Sequence, residues 1–379
     1  MDLFVANYVD FDLARTPKPG ENPNCNWKGV AVSCGPRGLR PARHWLWHNR
    51  GDGTFEDVSV KSGIAKLAHS FGMTAIALDI DGDGWTDIYT ACDSTPSLFF
   101  RNNQDGTFSE EGIASGIALN DDGMEQAGMG LAIGDFNLDG RIDILKTHFA
   151  DDTHILYRNE GGGQFRDVTL NAGLGVETRR VGWGTGFYDF DLDGLPDIYI
   201  VTGNVYPETE SDLPAYPYKT LPLLFRNLGG GKFEQLVEES GPALLEKRSS
   251  RGAAFGDLDN DGDIDIVVWN RNDYPALLRN DFKNPGNRHW LSLKLEGTKS
   301  NRSAIGAKVV LTYGGRKQAR AVLSQASFYS ANDLRLHYGL GEATSATAEV
   351  TWPSGLKETF PFPAVDRQVT LTEGSAPKP

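Results

Sequence analysis

Asp257-Leu258-Asp259-Asn260-Asp261-Gly262-Asp263-Ile264-Asp265-Ile266-Val267 places acids at positions 1, 3, 5, 7 and 9 of one short loop, glycine at position 6, and a β-forming apolar run behind it. The same frame returns without gaps at Asp189 (DFDLDGLPDIY), Asp135 (DFNLDGRIDIL) and Asp79 (DIDGDGWTDIY). All four copies read D-x-[DN]-x-D-G-x-x-D, and successive copies start 56, 54 and 68 residues apart. A second element, N-x-x-x-G-x-F, recurs between them at Asn49–Phe55, Asn102–Phe108, Asn159–Phe165 and Asn227–Phe233. Its Asp-Gly or Gly-Gly centre is a hairpin-turn signal between short strands. From each phenylalanine to the next loop's first aspartate the distance is 24, 27, 24 and 24 residues, so the chain is a repeat protein.

A unit of roughly 55 residues with several short strands and no helical period reads as a propeller blade. One such sheet cannot bury both faces alone, whereas stacked blades can. The stretches before the loops (Gly72-Met73-Thr74-Ala75, Gly128-Met129-Gly130, Gly182-Trp183-Gly184 and Gly252-Ala253-Ala254) are rich in small residues. Innermost strands, where backbones crowd an axis, require that. Met1-Asp2-Leu3-Phe4-Val5 matches the tail of a loop with Asp2 in ninth position, which predicts an incomplete blade and a natural protein extending further upstream.

The loops have the chemistry of calcium sites. Ca²⁺ takes six to eight oxygen ligands from carboxylates, carbonyls and water. Positions 1, 3 and 5 supply side-chain oxygens: Asp79, Asp81, Asp83; Asp135, Asn137, Asp139; Asp189, Asp191, Asp193; and Asp257, Asp259, Asp261. Glycine at position 6 permits the sharp turn. Position 7 is expected to offer its carbonyl, from Trp85, Arg141, Leu195 and Asp263, and position 9 a carboxylate, from Asp87, Asp143, Asp197 and Asp265. EF-hands share the first half but end in Glu at position 12 between helices. Here position 12 is Thr90, Lys146, Ile200 or Val268, and the flanks read as strands. Fifteen acids in four small volumes oppose folding unless a cation compensates them. About four structural Ca²⁺ ions are therefore expected, with affinities of ~10⁻⁴–10⁻³ M, as in extracellular modules.

The bulk composition agrees. The 379 residues carry 51 acids and 37 bases, a formal charge of −14, which disfavours nucleic-acid binding through phosphate contacts. No run of 18 apolar residues marks a membrane span. Cys25 and Cys34 lie in one Pro/Gly-rich segment and read either as a disulfide pinning a long loop or as two unpaired thiols.

Over most of its length the chain resembles the FG-GAP/VCBS propeller repeats of the cartilage acidic protein family, most closely at Ser250-Arg251-Gly252-Ala253-Ala254-Phe255 and the loop that follows. The tail resembles an ASPIC/UnbV domain at Asn287-Arg288-His289-Trp290-Leu291, Gly297-Thr298-Lys299-Ser300-Asn301-Arg302, Ala304-Ile305-Gly306-Ala307, Leu334–Gly341 and Trp352-Pro353-Ser354-Gly355. The resemblance implies an extracellular protein, here an N-terminally truncated bacterial member, with up to seven blades in the full propeller. The expected fold is all-β: an FG-GAP/VCBS-type β-propeller over residues 1–284, then a β-sandwich-like ASPIC/UnbV domain over 285–379, with Asn284-Pro285-Gly286 between them. Alternation in Leu291-Leu293-Leu295, Val309-Leu311 and Val350-Trp352 supports the sandwich independently.

Two insertions, residues 10–44 and 203–222, fall at equivalent places in their repeats, which puts them on one face. They bring Trp27, Tyr206, Tyr216 and Tyr218, with Trp45 and Trp47 nearby, residues that serve either as ligand contacts or as loop anchors. Arg50-Gly51-Asp52 occupies the repeat's ordinary turn, so the repeat explains it without adhesion. Seven histidines show no metal spacing, and no G-x-S-x-G elbow or phosphate loop occurs. The expectation is a secreted, periplasmic or cell-surface binding, adhesion or scaffold module for a glycan or protein ligand, without catalytic residues. The alternative is a secreted polysaccharide-acting enzyme with its site on the insertion face.

Overall fold

Alternation of short β-forming runs with Asp-Gly turns gives antiparallel sheets arranged as successive blades. The computed structural model describes residues 1–66, 70–284 and 286–377, so His69 and Pro285 lie outside the described residues. Three blades have four strands in meander order: Gly72–Leu78, Asp87–Cys92, Leu98–Asn102 and Phe108–Glu110; Gly128–Gly134, Asp143–His148, Ile155–Gly161 and Gln164–Asp167; and Gly182–Tyr188, Asp197–Thr202, Leu223–Gly229 and Lys232–Leu236. Two three-stranded sheets flank them: Leu3–Val5, Trp45–Asn49 and Phe55–Asp57 before, Ser250–Gly256, Asp265–Asn270 and Ala276–Leu278 after. Each aspartate-rich loop joins the first and second strands of its blade; the N-x-x-x-G-x-F element joins the third and fourth strands in the three four-stranded blades, and the second and third in the sheet that opens the chain.

Four apolar layers hold the blades together, and each lies between neighbouring sheets. Leu46, Ile88 and Phe100 fill the first; Ile76, Tyr89, Leu131 and Tyr157 the second; Leu145, Leu156, Phe187 and Phe225 the third; Tyr188, Tyr199, Phe255 and Val268 the fourth. The stacking leaves the far side of the last sheet bare, with Trp269 62% and Leu277 61% exposed. First strands meet edge to edge near the axis, which accounts for their glycines. A Cβ on Gly130 would lie 2.0 Å from the Trp183 carbonyl oxygen, and one on Gly184 would lie 2.6 Å from the Ala253 nitrogen.

The C-terminal domain is a sandwich, as its alternation predicts. Its three-stranded sheet pairs His289–Glu296 with Leu336–Gly341 and, in parallel, with Arg367–Thr372; its four-stranded sheet holds Lys308–Tyr313, Arg316–Ala321, Ala346–Thr351 and Lys357–Phe362. Leu293, Val309, Leu311, Tyr338 and Trp352 form its core. In Thr298-Lys299-Ser300 three consecutive amides donate to Glu373 Oε2 at 2.8 Å each, the structural purpose of that motif. Residues 326–333 leave this domain and cross the inner edges of three blades. Ser327 forms a backbone bridge with Leu131, its Oγ accepts from the Thr185 amide at 3.0 Å, and the Phe328 ring lies 4.9 Å from that of Trp183.

On the side opposite the acidic loops the two insertions meet each other. Trp27 packs on Tyr216 at 5.1 Å, on Phe149 at 5.5 Å and on Tyr206 at 5.8 Å between ring centroids, and Lys28 pairs with Asp151 at 2.6 Å. These aromatics anchor one loop to the other. Cys25 and Cys34 form a disulfide inside the first insertion.

Candidate metal centre

Each loop is built around its first and ninth residues. The first aspartate gathers the amide of the position-6 glycine: Asp79 Oδ2 from Gly84 at 3.0 Å, Asp135 Oδ2 from Gly140 at 2.8 Å, Asp189 Oδ2 from Gly194 at 2.7 Å and Asp257 Oδ2 from Gly262 at 3.2 Å. Those glycines have φ between +84° and +99°, a region a Cβ disfavours. Position 4 is also left-handed in all four loops, although it is Gly82, Leu138, Leu192 or Asn260, so the backbone path is preserved where the side chain is not.

The ninth aspartate joins the two repeated elements. One oxygen accepts the amide of loop position 2, and the other accepts the amide of an asparagine: Asn102 to Asp87 at 2.9 Å, Asn159 to Asp143, Asn227 to Asp197 and Asn280 to Asp265 at 2.8 Å each. Asn49 donates in the same way to Asp2 Oδ1 at 2.9 Å, so Asp2 does occupy a ninth position. The asparagine side chains also reach the position-2 carbonyl of the previous blade's loop: Asn227 Nδ2 to Phe136 at 2.9 Å, Asn280 Nδ2 to Phe190 at 2.8 Å, and Asn159 Nδ2 to Ile80 at 3.4 Å. Asn280 stands outside any N-x-x-x-G-x-F frame, and its one local mark is the Arg-Asn pair after an apolar strand, which Arg279-Asn280 shares with Arg101-Asn102, Arg158-Asn159 and Arg226-Asn227.

In three loops positions 1, 3 and 9 converge. Asp79, Asp81 and Asp87, then Asp189, Asp191 and Asp197, then Asp257, Asp259 and Asp265 each bring one carboxylate oxygen within 4.8 Å of the others. The second loop, with Asn137 in third position, offers Asp135, Asp139 and Asp143. Position 5 stands apart from these groups. Asp83, Asp139, Asp193 and Asp261 instead accept the amides of Trp85, Arg141, Leu195 and Asp263 at 2.8–3.0 Å.

Burial is the first cause of the strain on these acids, and neighbouring carboxylates add to it. It lifts Asp87 to about 7 and Asp135 to about 6, and raises Asp143, Asp189 and Asp197 well above the ordinary range. Asp263, pressed by four other acids of its loop besides its burial, rises to about 7. Asp257 is only 4% exposed, yet its Oδ1 has no hydrogen-bond partner. An orphaned buried carboxylate oxygen beside two further carboxylates is an arrangement a hard divalent cation satisfies.

Residues 37–90, 79–146 and 217–268 match the FG-GAP-like repeat family, and residues 297–378 match the ASPIC and UnbV family. The chain carries FG-GAP-like repeats and an ASPIC and UnbV domain. Cartilage acidic protein 1 of Homo sapiens is 28% identical over 315 residues, covering 81% of this chain and 44% of that protein; the Mus musculus protein is 27% identical over 314 residues, covering 81% and 45%. The chain thus spans less than half the length of these relatives. Among solved structures, an Agrocybe aegerita lectin recognising non-reducing terminal N-acetylglucosamine overlaps with a TM-score of 0.38 at 18% identity, over 83% of this chain and 75% of that one. The V. cholerae biofilm matrix protein Bap1 overlaps with a TM-score of 0.31 at 14% identity, over 84% and 55%.

The ASPIC/UnbV domain sits directly on the acidic loops. The Ala319 amide donates to Asp135 Oδ2 at 2.9 Å, and Gly339 packs so tightly against Asp189 that a Cβ would lie 1.9 Å from its Oδ2. Arg288 Nη1 donates to the Asp191 carbonyl at 2.5 Å, Arg316 Nη1 to that of Asp193 at 2.8 Å, and Arg335 Nη2 to that of Asp257 at 2.6 Å. None of these residues is singled out by sequence as part of a metal centre. Arg288, Arg335 and Gly339 lie inside the quoted ASPIC/UnbV motifs, whereas Arg316 and Ala319 lie outside them.

Proposed function

We propose that the chain is an extracellular Ca²⁺-binding repeat module in which about four structural ions hold the propeller loops, and that it acts in binding or scaffolding rather than catalysis. The orphaned Asp257 Oδ1, set among the converging carboxylates of its loop, is the observation that carries this reading. Ca²⁺ would supply a compact double charge for which carboxylates, carbonyls and water are the natural ligands. Positions 1, 3 and 9 would hold it by side chains, position 7 by its carbonyl, and the position-5 carboxylate by a small rotation away from its turn. The Cys25–Cys34 disulfide fits an oxidising compartment. Among the described residues no helix is long and apolar enough to cross a membrane. On this reading the ligand, a glycan or protein, binds the insertion face, where Trp27, Tyr206 and Tyr216 anchor the two loops together and remain half-buried rather than fully covered.

Isothermal titration tests the ion reading. About four Ca²⁺ per chain are expected, falling by one in Asp257→Asn. Because that variant loses a buried, unpartnered carboxylate oxygen, it should be no less stable than the parent in EGTA, and less stable only in Ca²⁺. No heat of binding, with thermal unfolding indifferent to EGTA, would refute the proposal. A glycan array probed with and without Ca²⁺ tests the ligand face.

A further inference from the structure

In the second and third loops the ASPIC/UnbV domain touches carboxylates an ion would use, through the Ala319 amide on Asp135 Oδ2 at 2.9 Å and Arg288 Nη1 on Asp191 Oδ2 at 3.1 Å, whereas in the fourth loop the oxygens it grips are not those an ion would take. In the fourth loop Arg335 Nη2 donates to the carbonyl of position 1, Asp257, and the His337 ring nitrogen Nε2 lies 2.7 Å from the carbonyl of position 6, Gly262. In the third loop Arg288 holds the carbonyl of position 3, Arg316 that of position 5, and the Tyr313 hydroxyl that of position 6, Gly194, at 3.0 Å. The position-7 carbonyls of Leu195 and Asp263 receive no hydrogen bond from the domain among the described residues, and Asp257 Oδ1 is likewise left free. The gripping side chains are fixed from behind. Arg335 is held by Asp333 Oδ2 at 2.5 Å and Gln368 Oε1 at 2.9 Å, and it also reaches loop residue Asn260 Oδ1 at 2.8 Å. His337 lies under the Trp290 indole, with ring centroids 5.9 Å apart, and Trp290 closes over the turn at Gly262.

We propose that the ASPIC/UnbV domain presets the fourth loop for its cation, with Arg335 and His337 as positioning residues, so that domain docking and metal binding reinforce one another. The inference rests on the reading of the loops as Ca²⁺ sites. A loop whose backbone is already held at positions 1 and 6 loses less conformational freedom when an ion enters, and the ion pulls the same backbone into the shape the domain fits. Coupling between two such events is reciprocal, and commonly amounts to a 5- to 150-fold change in affinity. The loop at Asp79 receives no hydrogen bond from the domain among the described residues, so it serves as an internal reference.

Two tryptophans make the test site-resolved in the intact chain. Trp85 stands at position 7 of the Asp79 loop, and Trp290 lies against Gly262 of the Asp257 loop, so each can sensitise luminescence of Tb³⁺, a Ca²⁺ surrogate, bound in its own loop. Trp85→Phe and Trp290→Phe assign the two signals. In Arg335→Met the Trp290-reported affinity should fall about tenfold while the Trp85-reported affinity stays within about twofold of the parent, the size expected from a coupling of this kind. Ca²⁺ should also raise the thermal midpoint less than in the parent, whereas a merely structural loss would lower the midpoint equally in EGTA. Arg335→Lys should restore part of the affinity. If Arg335→Met does not fold, His337→Phe, which removes only the bond to Gly262, takes its place with the same expectation. Unchanged affinity at the Asp257 loop, or equal losses at both loops, overturns the proposal while leaving the ion reading intact. Absence of luminescence at both loops in the parent sinks the ion reading and this inference together.

Discussion

Replacing Asn227 by alanine removes more than one blade's turn. Its Nδ2 donates to the carbonyls of Pro196, in its own loop, and Phe136, in the neighbouring loop, at 2.9 Å each, while its Oδ1 accepts from Gly229 at 2.9 Å; the residue is 1% exposed. Alanine leaves two buried carbonyls without a donor, each costing about 1–3 kcal/mol, so a loss of about 3 kcal/mol is expected. Asn102 occupies the same place two repeat units earlier, but its side chain bonds only within its own blade, donating to the Thr86 carbonyl at 3.0 Å and accepting from the Gln104 amide at 2.9 Å, and it is half-exposed. Asn102→Ala should therefore cost about 1 kcal/mol. With an unfolding entropy of about 2 cal/mol/K per residue, these losses lower a single cooperative midpoint by about 4 °C and about 1 °C respectively. Differential scanning calorimetry in saturating Ca²⁺ reads both. Equal shifts for the two variants would show that the bond between blades contributes nothing, and would refute the reasoning.

Acidity and ion supply should act in opposite directions. Asp87 and Asp263 titrate near 7 in the fold and Asp135 near 6, all from an ordinary value of 3.8. Between about pH 4 and pH 7 the fold thus binds protons that the unfolded chain has already released, so metal-free protein gains stability as pH falls. In EGTA the thermal midpoint should be higher at pH 5.5 than at pH 7.5, and in Ca²⁺ lower; the same slope in both would refute the assignment. Reducing Cys25–Cys34 frees a loop closed over a separation of nine residues, worth about 2.5 kcal/mol in the chain-entropy treatment. Proteolysis should then cut first within residues 10–44, with Ca²⁺ stoichiometry unchanged.

Much of the fold was legible because its determinants are local. Gly84, Gly140, Gly194 and Gly262 mark turns that no other residue makes as easily, and each is followed by an apolar run that forms the second strand of its blade. Gly130 and Gly184 mark the axis for an equally local reason, since no side chain fits there. What the sequence hid was made by distance. Arg335 reaches Asp257 across 78 positions and Arg288 reaches Asp191 across 97, and no spacing rule links them. The insertion aromatics read as either ligand contacts or loop anchors, and only the fold shows Trp27 packed on Tyr216 at 5.1 Å, joining the two insertions.

The segment that lies across the blades also imposes an order of events. The edges of the strands at Leu131 and Thr185 bond to Ser327, a residue synthesised long after them. Until the ribosome delivers it, those amides stay hydrated and the blades lack the strap that joins their narrow ends. Closure through contacts so distant in sequence is slow. Fastening of the blades is therefore governed from the ASPIC/UnbV domain, and a chain interrupted before Ser327 would carry every acidic loop yet leave the middle of the stack unfastened.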